Sequence, residues 1–163
     1  MTPREQEILA LVRADPLISQ DAIAARLGIS RSAVAGHIMN LTGKGITVAL
    51  IDSGLSPSAA VPSNRILANA SFVPGDNNGR DGFGHGTHVA GTVAAVTDNA
   101  LGVAGVAWQT HVMPLRALGA LGGTSYDIQQ AVRYAAGLSN DSGTVPTQPA
   151  DVINLSIGGP GFS

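Results

Sequence analysis

The chain has 163 residues, 44% of them hydrophobic, with 4% aromatics and a formal net charge of −2. That length supports one domain, or a small module joined to a larger piece, with a core filled by aliphatics and alanine. The sequence has no cysteine, which excludes disulfides, thiolate metal sites and a cysteine nucleophile and fits a reducing compartment.

No stretch approaches the roughly 18–20 apolar residues of a membrane span. The first 30 residues are too charged to hold the apolar core of a secretory signal. The expected location is therefore cytoplasmic, with no membrane partner. Residues 1–45 carry five basic and four acidic side chains, and residues 46–163 four basic and seven acidic. Neither part is basic enough for strong nonspecific nucleic-acid binding.

Residues 1–45 predict three short helices. Thr2-Pro3-Arg4-Glu5 places a cap, a proline at the first helical position and a capping-box glutamate in order. Ile8, Leu9, Leu11 and Val12 supply an apolar face, and Asp15-Pro16 ends that helix. Ser19 opens a second helix carrying Ile23 and Leu27, with Gly28 at the turn after it. Ser30 opens a third, with Val34, Ile38 and Leu41 spaced i, i+4, i+7. Gly43 and Gly45 stop it.

Helix, glycine-containing turn, helix is the grammar of a helix-turn-helix. Residues 20–34 resemble the winged helix-turn-helix that heads some bacterial ribokinase-family sugar kinases. There a β-hairpin wing follows the third helix; here Lys44-Gly45 runs directly into Ile46-Thr47-Val48. The resemblance implies double-stranded DNA as a partner, read by the second helix of the unit from its N-terminal end. With Val34, Ile38 and Leu41 turned inward, Ser30, Arg31, Ser32, Gly36 and Asn40 are left for the groove and Lys44 for a phosphate.

From Ile46 the pattern changes. Ile46 to Ile51 predicts a strand covered on both faces. His85 to Val96 predicts a helix, Val112 to Leu115 a strand, Tyr126 to Ala136 a helix and Val152 to Ile157 a third strand. Strands alternating with helices imply βαβ units on a parallel sheet.

The chemistry is concentrated at two places. Asp52 ends the first strand, where open α/β sheets place their sites. His85 opens a helix between two glycines, in Gly84-His85-Gly86-Thr87-His88-Val89-Ala90-Gly91-Thr92. With Val152-Ile153-Asn154-Leu155-Ser156-Ile157-Gly158-Gly159 downstream, residues 46–163 resemble the N-terminal part of the subtilisin-like serine proteases.

That resemblance implies several roles. Asp52 and His85 match the triad aspartate and histidine, and His88 becomes a helix residue packed beneath them. Ser156, Ile157, Gly158 and Gly159 match the segment that pairs with a peptide substrate's backbone. Asn99, Leu101 and Val103 match a loop that holds a structural calcium in many members. The third station, a serine in a Gly-Thr-Ser-Met-Ala-type turn, is absent, as is the oxyanion asparagine. Gly123-Thr124-Ser125 has the right letters but begins a predicted helix remote from the cleft.

The fold expected is α/β: a three-helix helix-turn-helix head at 1–45, then a truncated parallel βαβ sheet of subtilisin-like type at 46–163, joined without a linker as in a chimera. Three functions follow from it: an inactive subtilisin-like endopeptidase fragment, a DNA-binding protein with a passenger, or a structural chimera. Apolar faces left open by a short sheet would be covered by the head or by a homo-oligomer.

Overall fold

A computed structural model describes residues 1–58, 60–67 and 69–158. The head contains α1 (Pro3–Ala14), α2 (Gln20–Leu27) and α3 (Arg31–Leu41). Each start is set by a side chain: the Thr2, Ser19 and Ser30 hydroxyls accept from the N–H groups of Glu5, Ala22 and Ala33. Glu5 returns the bond to the Thr2 N–H at 2.8 Å, completing a capping box. Gly28 ends α2 at φ 63°, left-handed geometry that a side chain would strain. Ile8, Ile23 and Val34, one from each helix, are fully buried against one another.

The rest is an open sheet of β1 (Thr47–Asp52), β2 (Ala70–Ser71), β3 (His111–Arg116) and β4 (Val152–Asn154), in the order β2-β3-β1-β4. Every pairing is parallel. Helices α4 (His85–Ala94) and α5 (Ser125–Ala135) cover opposite faces. Alternation along β1 decides which residue meets which helix: Ala49 and Ile51 join the cluster containing Ala131, Tyr134 and Ala135 of α5, while Val48 and Leu50 join Ala90 and Ala94 of α4. Period two therefore carries Asp52 to the side where α4 begins.

Two expectations change. The sheet has a fourth strand, β2, only two residues long and held as an edge beside β3. β4 stops at Asn154 rather than Ile157, because only Val152, Ile153 and Asn154 find partners on β1. Leu155 to Gly158 has strand-like composition without a neighbouring ladder, and composition alone does not make a strand.

The head abuts the sheet directly. The Gln109 N–H donates to the Thr42 carbonyl at 3.0 Å, and the His111 N–H to the Ile46 carbonyl at 2.9 Å. Nearby, the buried Arg65 guanidinium donates to the carbonyls of Ala94, the last residue of α4, and Trp108. Burial lowers the pKa of Arg65.

Candidate active site

Asp52 is 1% exposed at the end of β1. Its main-chain oxygen accepts from the N–H groups of Ala117 and Leu118 just past β3, which fixes the strand end. The Ser53 N–H donates to its Oδ1 at 2.6 Å. His85 Nδ1 lies 2.8 Å from Asp52 Oδ1 and 3.0 Å from Oδ2. An ionised carboxylate only accepts, so Nδ1 carries the proton. The opposite ring nitrogen is left for another partner.

The His85 side chain is 42% exposed. Its bond to Asp52 and that carboxylate's charge raise its pKa above the ordinary value, against the opposing effect of burial; Asp81 adds a smaller push in the same direction. His85 borders a hollow of about 230 Å³ shared with Phe83, Leu118, Ser156, Ile157 and Gly158. The hollow thus brings the imidazole together with three of the four residues expected to face substrate. Gly159 lies outside the described residues.

Close approach is what allows the pair. A Cβ on Gly86 would collide with the Gly54 carbonyl oxygen and sit 3.2 Å from the Asp52 Cβ. The first turn of α4 therefore rests main chain to main chain on the end of β1.

Gly84 caps α4 without a side chain, and its cap comes from elsewhere. Asp81 Oδ1 accepts from the N–H groups of Phe83 and Gly84 and from the Ser53 hydroxyl; its Oδ2 accepts from the N–H and hydroxyl of Thr87. The Ser53 oxygen in turn accepts from the Gly86 N–H at 2.9 Å. Burial pushes the Asp81 carboxyl up, but the Thr87 hydroxyl and the N–H groups of Phe83, Thr87 and Gly84 outweigh it and hold it well below the usual carboxylate range. Reading the sequence missed Asp81 and Ser53. The available signal was a helix start with glycine at the cap and an aspartate three residues before it.

His88 is corrected. It is exposed, not packed beneath the site. The buried stripe of α4 is Gly86, Ala90, Gly91 and Ala94, and residue 88 falls about 200° around the helix from Gly86.

The other candidates are dispersed. Ser30 and Ser32 bond to each other at 2.9 Å on the exposed start of α3, and Arg31 stands 3.7 Å from Asp21. Gly36 is half-buried. Asn40 borders a hollow between α3 and the sheet segment, beside Asn64 and Arg65. Lys44 Nζ lies 3.8 Å from Glu5 Oε2. Asn99, Leu101 and Val103 line a loop curled around about 200 Å³. Thr124 caps α5 through a box with Asp127, so Gly123-Thr124-Ser125 is a helix start.

An aspartate–imidazole pair at the carboxyl edge of a parallel sheet, beside a hollow of about 230 Å³, has the geometry of the acid–imidazole part of a Ser-His-Asp triad. Residues 43–163 match the Subtilase family, and the chain belongs to it. Residues 1–46 match a winged helix-turn-helix DNA-binding family. An extracellular protease of Xanthomonas campestris is 39% identical over 148 residues, spanning 74% of this chain and 25% of that protein. Subtilisin Savinase of Lederbergia lenta is 42% identical over 135 residues, 82% of this chain and 45% of the relative. The solved structure of a protease from Pseudoalteromonas arctica PAMC 21717 matches at a TM-score of 0.67 and 38% identity, covering 72% of this chain and 42% of that one. The chain thus spans less than half the length of these relatives. No helix among the described residues is long and apolar enough to cross a membrane.

Proposed function

We propose that the α/β segment holds the acid–imidazole half of a peptide-hydrolysing serine-protease site, and that this chain alone does not turn over peptides. The carrying observation is the contact of His85 Nδ1 with both Asp52 oxygens at 2.8 and 3.0 Å. Asp52 fixes the tautomer and stabilises the imidazolium, and the outer nitrogen of His85 accepts a proton from a hydroxyl nucleophile. Among the described residues no serine hydroxyl bonds to that nitrogen, and Ser156 Oγ instead accepts from Asn154 at 2.9 Å. Without the serine, a triad retains only about 10³–10⁴-fold catalysis over water, supplied by the oxyanion hole and binding.

A peptide would lie along Ser156, Ile157, Gly158 and Gly159, adding its main chain at the edge beyond β4. The loop of Asn99, Leu101 and Val103 suits a calcium ion held by carbonyls and one side-chain oxygen, with no reacting group among them. Asp98 and Ala100 adopt φ of 61° and 55° there, and the buried Thr97 hydroxyl has no protein partner. Such strain and an orphaned oxygen fit a loop that a cation would complete.

The head supports a second role. The match of residues 1–46 to DNA-binding proteins favours duplex DNA as its ligand, met by Ser30, Arg31, Ser32 and Gly36, with Asn40 and Lys44 at the far end of α3.

A peptide-hydrolysis assay tests the first reading: no turnover above a His85→Ala control is expected, and robust turnover abolished by His85→Ala would refute it. A mobility shift on duplex DNA that weakens with salt is expected for the head, and no shift at low salt would end that role.

A further inference from the structure

We infer that Asp81 is the positioning residue of the site: it holds the first turn of α4 against the end of β1, and so sets His85 over Asp52. The inference deepens the acid–imidazole reading and rests on it.

Three observations converge. First, α4 begins at Gly84, which has no side chain to cap the helix, and the exposed N–H groups of a first turn need acceptors. Asp81 takes those of Gly84 and Thr87 at 2.7 and 2.8 Å. Second, the same carboxylate reaches β1's end by accepting from Ser53 Oγ at 2.8 Å, and Ser53 accepts from Gly86 at 2.9 Å. Ser53 and Gly86 are the residues next to Asp52 and His85, so the clamp closes beside the catalytic pair on both sides. Third, the loop carrying Asp81 is itself anchored. Arg116, the register partner of Asp52 on β3, pairs with Asp76 at 2.7 Å and donates to the Arg80 carbonyl.

The alternative role for Asp81 is that of a simple helix cap, which would contribute to stability without governing the pair. Charge-assisted bonds to five donors make either role strong, so stability alone does not separate them. The geometry of His85 does. If Asp81 positions the imidazole, its removal loosens the Nδ1–Asp52 bond even where the chain stays folded.

The test is a proton-NMR titration of the full chain as wild type, Asp81→Ala, Asp81→Asn, Asp52→Asn and the double variant. Wild type is expected to show a low-field Nδ1–H resonance and a His85 midpoint above the ordinary value of about 6.5. In Asp81→Ala the resonance broadens or disappears, and the midpoint falls toward that value. Asp81→Asn keeps one acceptor oxygen, so it is expected to fall between. The decisive arm is the cycle: in the Asp52→Asn background, removing Asp81 lowers the midpoint only by its small direct charge effect, whereas with Asp52 intact the fall is larger because the Nδ1–Asp52 bond loosens as well. Equal falls in both backgrounds would overturn the positioning role.

A wild-type chain without the resonance and without the raised midpoint would overturn the acid–imidazole reading, and this inference with it. A wild-type chain that shows both, with a folded Asp81→Ala that keeps both, would overturn the positioning role alone. Should Asp81→Ala not fold, Asp81→Asn decides: an unchanged resonance and midpoint refute the role, and a weakened resonance with a lowered midpoint supports it.

Discussion

In the α/β segment, Asp52 is buried, bonded on its main chain and side chain, and faced by an imidazole whose helix is clamped from two directions. In the head, Ser30, Arg31, Ser32, Asn40 and Lys44 are exposed and Gly36 is half-buried. Ser30 bonds to Ser32 and Ala33 on its own stretch, and Arg31 and Lys44 stand near Asp21 and Glu5 of the other helices. The difference follows from the chemistry each would do. A proton-transfer pair needs sub-ångström placement and a protected carboxylate, so the fold surrounds it. A surface that meets DNA phosphates and bases needs exposure, and is organised mainly by its helix and cap.

Glycine sharpens the contrast. Gly86→Ala should be the most damaging single change, costing more than about 3 kcal/mol, because a Cβ there meets the Gly54 main chain. Denaturant unfolding would measure it. Ile23→Ala, in the head core, should cost about 2–4 kcal/mol by opening a cavity among three helices. Ser30→Ala removes the α3 cap and should cost about 1 kcal/mol. Gly36→Ala meets nothing within 4 Å in the middle of α3 and should stabilise the head by about 0.5–1 kcal/mol. Opposite signs for Gly86→Ala and Gly36→Ala would support the contrast; equal losses at both would break it.

Much of this was legible because it is local. The caps at Thr2, Ser19 and Ser30 and the glycine at 28 are read within four residues. The run around His85 is contiguous, and Asp52 ends an unbroken apolar strand. What escaped depends on contacts distant in sequence. β2 is two residues long and exists only because β3 lies beside it. Residues 155–157 read as strand but have no ladder. The Asp81 clamp links residues 53, 81, 84, 86 and 87, and no spacing rule ties an aspartate in a loop to a serine on a strand end.

The imidazole of His85 and the carboxylate of Asp81 also predict opposite responses to pH. His85 has a folded pKa above its ordinary value, so its contribution to stability is full below that ordinary value and is lost as pH rises through the raised one. Asp81 has a depressed folded pKa, so its contribution is present above the usual carboxylate value and is lost as pH falls through the depressed one. Thermal unfolding across pH should show the first slope vanish in Asp52→Asn and the second in Asp81→Asn.

The most direct test is the pH midpoint of the His85 ring by NMR in the wild type and in Asp52→Asn. A raised wild-type midpoint that drops to the ordinary histidine value once the carboxylate is neutral is the predicted result. A midpoint that is ordinary in the wild type, or unmoved by the substitution, would contradict the pairing of Asp52 with His85.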